Sequence, residues 1–301
     1  MSKVKLRKSK SIVIFKKLVV IRPIKLLKKR RQLRKDSFPL ETKYAFARQI
    51  IKEAGLFIKS KMSEQLDIQV KTQFDDLVTN VDQETQQLLM DRIHQTYPCD
   101  AILAEENDVR HPINQGNVWV IDPIDGTVNF IVQGSQFAVM IAYYEQGIGQ
   151  FGLIYDVMAD QLLAGGGDFE VTLNGDKLPA YQEKPLERSL IGCNAGMFAR
   201  NDRNLAHLIA KTLGVRVYGG AGICMVKVMK QELLAYFSFI QPWDYAAAKV
   251  LGDKLGYVLL TIDGYEPDFQ TRQKIMFVPK CQLTRIASFL TKDSAITLED
   301  Q

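Results

Sequence analysis

Four carboxylates, Glu105, Asp122, Asp125 and Asp244, stand where strands end or helices begin, and one of these places also offers a turn able to hold an anion. The stretch Trp119-Val120-Ile121-Asp122-Pro123-Ile124-Asp125-Gly126-Thr127-Val128-Asn129 opens as an apolar, β-branched run suited to a strand covered on both faces. Pro123 pushes its predecessor into extended geometry, so Asp122 is expected as the last strand residue, with Asp125 and Thr127 starting a helix. Gly126 lacks a Cβ, and the amides around it would face an anion with the positive end of a helix dipole behind them. Glu105-Glu106 directly follows the short apolar run 101–104, and ligands of open α/β sheets collect at such strand ends. Taken singly, each has a plain reading: adjacent glutamates are usually solvated, and Asp82 or Asp244 is an ordinary helix-start carboxylate.

Taken together they imply a cation. Oxygen ligands without His or Cys select Mg²⁺, Mn²⁺ or Ca²⁺ over zinc or copper. Buried side by side with no counter-ion, such groups cost several kcal/mol each. Two divalent ions balance them, and a metal pair roughly 4 Å apart beside phosphate-binding amides suits in-line displacement at phosphorus. Cys99, Cys193, Cys224 and Cys281 form no CxxC pair, and His94, His111 and His207 are scattered, which disfavours zinc, a disulfide framework and a serine-histidine triad. A reduced cytoplasm fits this cysteine usage.

The elements that must position these residues are legible as a pattern. Apolar spacing predicts a helix from Leu40 to about Lys61, a strand at 68–70, a polar loop from Lys71 to Asp82, a helix through Ile93, and the strand 101–104. Antiparallel strands follow over 137–144, 147–155 and 161–164, with Gly165-Gly166-Gly167 as a turn and Asn174-Gly175 closing a hairpin. A second half reads as a strand at 189–194, a helix over 197–211, a strand at 215–217, a helix opening at Gly219-Gly220-Ala221, a strand at 233–240, and a small-residue helix headed by Asp244. The 301 residues, 47% hydrophobic, suffice for a sizeable core in one large domain or two smaller ones. No apolar run reaches the roughly 18–20 residues of a membrane span.

The net charge of +5 conceals a division. Residues 1–35 hold 15 of the 39 Lys and Arg and no acidic residue, which leaves 24 basic against 34 acidic side chains, a formal −10, for the rest. We therefore read 1–36 as a basic extension, disordered or amphipathic, and 37–301 as the folded domain, with subdomains of about 37–185 and 186–301. Alternating Ile, Leu and Val with Lys allows weak contact with an anionic membrane or RNA through residues 1–35. Binding that survives deletion of those residues would exclude it.

Glu105-Glu106, then Asp122-Pro-Ile-Asp-Gly-Thr-Val-Asn129, then Trp243-Asp-Tyr-Ala-Ala247, in this order and spacing, resemble the signatures of the inositol monophosphatase family of Mg²⁺-dependent, lithium-sensitive phosphatases. The resemblance runs over roughly residues 40–290. It implies an α/β fold of alternating α/β/α/β/α layers, a homodimer, and two or three Mg²⁺ held by Glu105, Asp122, the Ile124 carbonyl, Asp125 and Asp244, with Asp122 bridging. It further implies that Glu105 and Thr127 activate the water, that Asp82 holds Thr127, and that Gly126 and Thr127 amides receive the phosphate. Asp125, Asp244 and the Gly219-Gly220-Ala221 turn would line the substrate pocket, and Lys71 would lie in a metal-gating loop. The implied substrate is a small polyol or sugar phosphate, inositol monophosphate first. Fructose bisphosphatase, nucleotide 3′-phosphatase and NADP phosphatase activities share the same site. Two departures stand out: Ala104 replaces a common glycine, and the strand before Trp243 carries no carboxylate, Ser238 standing nearest the position where inositol-type members place one.

Overall fold

The computed structural model describes residues 39–290 apart from residues 73 and 75, so the basic extension lies outside the described residues. In chain order the elements are α1 (Leu40–Lys61), β1 (Ile68–Val70), β2 (Leu77–Thr79), α2 (Asn80–Thr96), β3 (Ala101–Ala104), β4 (Asn117–Asp125) and α3 (Thr127–Gln133). Then come β5 (Ala138–Glu145), β6 (Ile148–Asp156), β7 (Gln161–Gly166), β8 (Phe169–Leu173) and β9 (Asp176–Lys177). The remainder is β10 (Ile191–Cys193), α4 (Ala195–Ala199), α5 (Leu205–Ile209), β11 (Val215–Arg216), α6 (Ala221–Met229), β12 (Ala235–Ile240), α7 (Pro242–Leu255), β13 (Tyr257–Thr261), β14 (Gln273–Pro279) and α8 (Leu283–Ala287).

Two sheets organise these elements. One has seven strands in the order β3-β4-β5-β6-β7-β8-β9, the other five in the order β11-β10-β12-β14-β13, and the chain passes from one to the other between Lys177 and Ile191. α6 and α7 lie between them: Met225, Tyr245 and Leu251 share one buried cluster with Val120, Met140 and Ile154 of the first sheet and with Tyr236, Leu259 and Phe277 of the second. The close approach needs small residues. A Cβ on Gly152 of β6 would sit 2.4 Å from the Ala247 carbonyl of α7. On the far face of the seven-stranded sheet, Ala47, Ile50, Ile51, Ala54 and Ile58 of α1 are wholly buried at helical spacing, and Phe46 meets Trp119 edge-on. On the far face of the five-stranded sheet, Met197, Leu205 and Ile286 from α4, α5 and α8 pack with Phe237 and Met276. The layers therefore run α/β/α/β/α.

Four expectations are corrected. The polar segment read as a loop contains β2, and Thr79, whose hydroxyl accepts the amides of Val81 and Asp82, caps α2, with Asp82 three residues inside. Pro123 does not end β4: pairing with β5 passes from Asp122↔Met140 to Asp125↔Ala138, so the proline sits in a one-residue bulge, where its missing N–H costs no ladder bond. Gly165-Gly166 continue β7, and only Gly167 lies in the turn. The helix read over 197–211 is two short ones, because Asn201, Arg203 and Asn204 adopt left-handed φ of 52°, 56° and 63° in a run with no apolar side chain. Among the described residues no helix is long and apolar enough to cross a membrane, and all four cysteines are free.

Candidate active site

The bulge in β4 is the device that assembles the carboxylates. In a regular strand Asp122 and Asp125, three apart, would point to opposite faces. The extra residue brings them to one side, and Asp122, Asp125 and Asp244 each present an oxygen within 4.8 Å of the others. β3 pairs in parallel with β4 in the register Ala104↔Ile121, so Glu105, the first residue after β3, is brought level with Asp122 of β4. α7 delivers Asp244 from across the layers, its Oδ2 accepting the Gln241 N–H at 2.8 Å.

Asp125 is used twice. Its Oδ1 accepts the Ala221 amide at 2.9 Å and its Oδ2 the Gly222 amide at 2.7 Å, so the first turn of α6 is capped by a side chain 96 residues away. The Gly219-Gly220-Ala221 turn is thus held against Asp125. Asn129, to which no role was given from sequence, completes the tie: its Nδ2 donates to the carbonyls of Tyr218 at 2.7 Å and Gln136 at 2.9 Å. Gly126 has φ of 91°, a left-handed conformation that turns the chain from β4 into α3.

Thr127 donates its single hydroxyl proton to Oδ1 of the buried Asp82 at 2.9 Å, while the Ile124 carbonyl lies 3.2 Å from the Thr127 Oγ1. With that proton committed, the remaining lone pairs of Thr127 are free to accept. Lys71 Nζ bonds Glu105 Oε1 at 2.8 Å and also pairs with the buried Glu106. Burial alone would lower the Lys71 pKa, and the charges of Glu105 and Glu106 outweigh it and hold the ammonium above the ordinary lysine range. Arg110 lies over the Trp243 ring at 4.6 Å and donates to the Ala104 carbonyl, linking the chain before Glu105 to the head of α7. Lys71 reaches Glu105, and Arg110 reaches Trp243, only through the tertiary fold, so nothing local in the sequence marks those two contacts.

Both carboxylate oxygens of Asp122 are buried without a hydrogen-bond donor. Burial first, then the charges of Glu105, Asp125 and Asp244, push the Asp122 carboxyl well above its ordinary range. Asp244 is raised likewise, by burial and by Glu105 and Asp125. Burial lifts Asp125 to about 7 against the pull of the Gly222 and Ala221 amides, and lifts Asp82 to about 6 against its hydrogen bonds from Thr79 and Thr127. A carboxylate group with two orphaned buried oxygens and mutual repulsion fits a divalent hard cation, the compensation the protein itself does not supply. Glu105 acts on all three aspartates through its charge but is outside the group whose oxygens come within 4.8 Å of one another, and its carboxylate is bonded to Lys71.

Carboxyls whose folded pKa is raised bind more protons folded than unfolded, so Asp82 and Asp125 contribute most to the stability of the metal-free protein at and below the ordinary carboxylate pKa of about 4, and that contribution is lost as pH climbs from there through about 6 to 7. Mg²⁺ held by these carboxylates would replace those protons. We expect the Mg²⁺-induced rise in Tm to be larger at pH 8 than at pH 5.5 in scanning fluorimetry; an equal rise at both would contradict the raised carboxyls.

The sequence model of the Inositol monophosphatase family matches residues 40–289. The chain belongs to the inositol monophosphatase family. Its curated relatives include "Inositol-1-monophosphatase" of Bacillus subtilis (strain 168), 40% identical over 225 residues that cover 72% of this chain and 84% of that one. Among solved structures, staphylococcal IMPase-II with inositol monophosphate bound is similar at 30% identity and a TM-score of 0.72, covering 81% of this chain and 92% of that one. The same protein with 2′AMP bound gives 30% identity and a TM-score of 0.74, covering 82% and 92%. Members of this Mg²⁺-dependent family are phosphoric monoester hydrolases, and so is this chain.

Proposed function

We propose that the chain hydrolyses the phosphate monoester of a small polyol or sugar, inositol monophosphate first, at the carboxylate cluster of β4 and α7. The observation that carries this reading is Asp122: a buried carboxylate with no donor to either oxygen, within 4.8 Å of Asp125 and Asp244 and at the sheet edge beside Glu105. Glu105, Asp122, the Ile124 carbonyl, Asp125 and Asp244 hold two or three Mg²⁺. When bound, Mg²⁺ makes water a stronger nucleophile and stabilises charge on the leaving oxygen.

The protein's own residues do the rest. The amides of Gly126 and Thr127, at the left-handed turn into α3, receive the phosphate oxygens. Thr127, its proton committed to Asp82, accepts from the attacking water, and Glu105 takes the proton that the water loses. Asp244, Asp125 and the Gly219-Gly220-Ala221 turn line the alcohol side of the pocket. Ser238 is buried on the same side of β12 as Tyr236, whose hydroxyl lies in the field of Asp125 and Asp244. With no carboxylate on β12 to hold sugar hydroxyls, a nucleotide ester is the second reading, favoured by the 2′AMP bound to staphylococcal IMPase-II.

Rates on a panel with Mg²⁺ decide between them. We expect inositol 1-phosphate to give the highest kcat/KM, ahead of 2′AMP, 3′AMP, fructose 1,6-bisphosphate and NADP. A preference for 2′AMP or 3′AMP would transfer the assignment to nucleotides, and hydrolysis of none would sink the phosphatase reading. A homodimer belongs to this reading on the family resemblance, and sedimentation reports it. Weak contact of residues 1–35 with RNA or anionic membrane rests on the 15 basic side chains there.

A further inference from the structure

α2 carries a second side chain aimed at the site. Asp82 and Gln86 are one turn apart on its buried face, 0% and 1% exposed. Asp82 holds Thr127. Gln86 holds the backbone of Glu106 twice: its Nε2 donates to the Glu106 carbonyl at 2.7 Å, and its Oε1 accepts the Glu106 N–H at 2.7 Å. Those two bonds require one orientation of the amide, since only its nitrogen can donate and only its oxygen can accept here.

The place matters. β3 ends at Ala104, so Glu105 and Glu106 have left the ladder, and the Glu106 backbone, in a buried residue, needs partners from elsewhere. Gln86 supplies the pair of bonds that a neighbouring strand would have made. It fixes the peptide plane that follows Glu105, and hence the direction in which the Glu105 side chain leaves the chain. The other restraint on the Glu105 carboxylate is Lys71, a long flexible side chain. One rigid helical turn therefore references both Thr127, through Asp82, and Glu105, through Gln86.

We propose that Gln86 is a positioning residue that sets the Glu105 carboxylate against Thr127 and the aspartate cluster. This rests on the reading of Glu105 as metal ligand and proton acceptor given above. Gln86→Glu keeps an acceptor for the Glu106 N–H but turns an oxygen toward the Glu106 carbonyl. Gln86→Asn keeps the amide but is too short to make both bonds.

The test measures kcat and KM on inositol 1-phosphate, and Mg²⁺ affinity by calorimetry without substrate, for both variants, alone and in a Glu105→Gln background. Each substitution alone is expected to lower kcat and Mg²⁺ affinity by roughly 10–100-fold, the usual cost of losing an outer-shell partner, with KM within about twofold. In the Glu105→Gln background neither is expected to weaken Mg²⁺ binding by more than about twofold, because Gln86 acts through Glu105. Folded variants with native kcat and Mg²⁺ affinity would overturn the proposal. So would an undiminished effect in the Glu105→Gln background, or failure of both variants to fold, which would leave Gln86 a stabilising role only. Native activity and Mg²⁺ binding in Glu105→Gln itself would instead overturn the reading of Glu105, and this proposal with it.

Discussion

Replacing Asp122 by Asn is expected to reduce turnover by roughly 10³-fold or more, beyond the loss of a single transition-state donor. The substitution preserves shape and removes one charge. Asp122 is the member of the cluster with no protein donor to either oxygen, so a bound cation is the compensation that its ionised form needs. The amide would also point an N–H₂ group at Asp125 and Asp244, whose oxygens lie within 4.8 Å, and so occupy with hydrogen bonds the positions the ions need. The same change should raise the Tm of the metal-free protein, because it deletes a buried carboxylate that Glu105, Asp125 and Asp244 repel. Gain of apo stability together with loss of activity distinguishes a functional charge from a structural one. Initial rates and scanning fluorimetry on the variant measure both, and near-native turnover would contradict the assignment.

Thr127→Ala is expected to separate rate from metal binding. The Thr127 hydroxyl touches none of the clustered carboxylates, and the Ile124 carbonyl, its one contact within the proposed ligand set, is a backbone group that the substitution leaves in place, so Mg²⁺ affinity should stay within a few-fold of native. The rate should fall roughly 10²–10³-fold, within the range of a lost acid-base contact. Removing the hydroxyl also strips Asp82 Oδ1 of its donor, and burial, which already lifts that carboxyl to about 6, would lift it further. Thr127→Ser keeps the hydroxyl and should recover most of the rate. The outcome that would count against the role is a loss of Mg²⁺ affinity as large as the loss of rate.

Much of the site is written locally. Asp122, Asp125, Gly126 and Thr127 lie within six residues, and a strand-to-helix turn is a short-range feature, so the residue types of the turn are legible, while the convergence of Asp122 with Asp125 depends on the bulge in β4. Glu105 is legible for a related reason: β3 pairs in parallel with β4 and ends opposite Ile121, so its next residue is delivered beside Asp122. The misses depend on pairing and distance. Pro123 reads as a stop because a proline removes a ladder donor, and only the register with β5 reveals a bulge that needs no donor there. Thr79 lost its capping role to Asp82 because both are good helix-start residues and the Leu77–Thr79 strand is too short to show a period. The bonds from Asp125 to α6 and from Lys71 to Glu105 span 96 and 34 residues, and no local pattern encodes them. The run 197–211 has helical apolar spacing at both ends, and the left-handed residues between are visible only in the folded backbone.

The proposed role of the buried Asp122 carboxylate is to hold Mg²⁺. Calorimetric titration of Mg²⁺ into the metal-stripped chain and into its Asp122→Asn variant tests it most directly. The account predicts saturable binding to the native chain, with protons released as the raised carboxyls ionise, and loss of that binding in the variant. Equal Mg²⁺ binding by both proteins would contradict it.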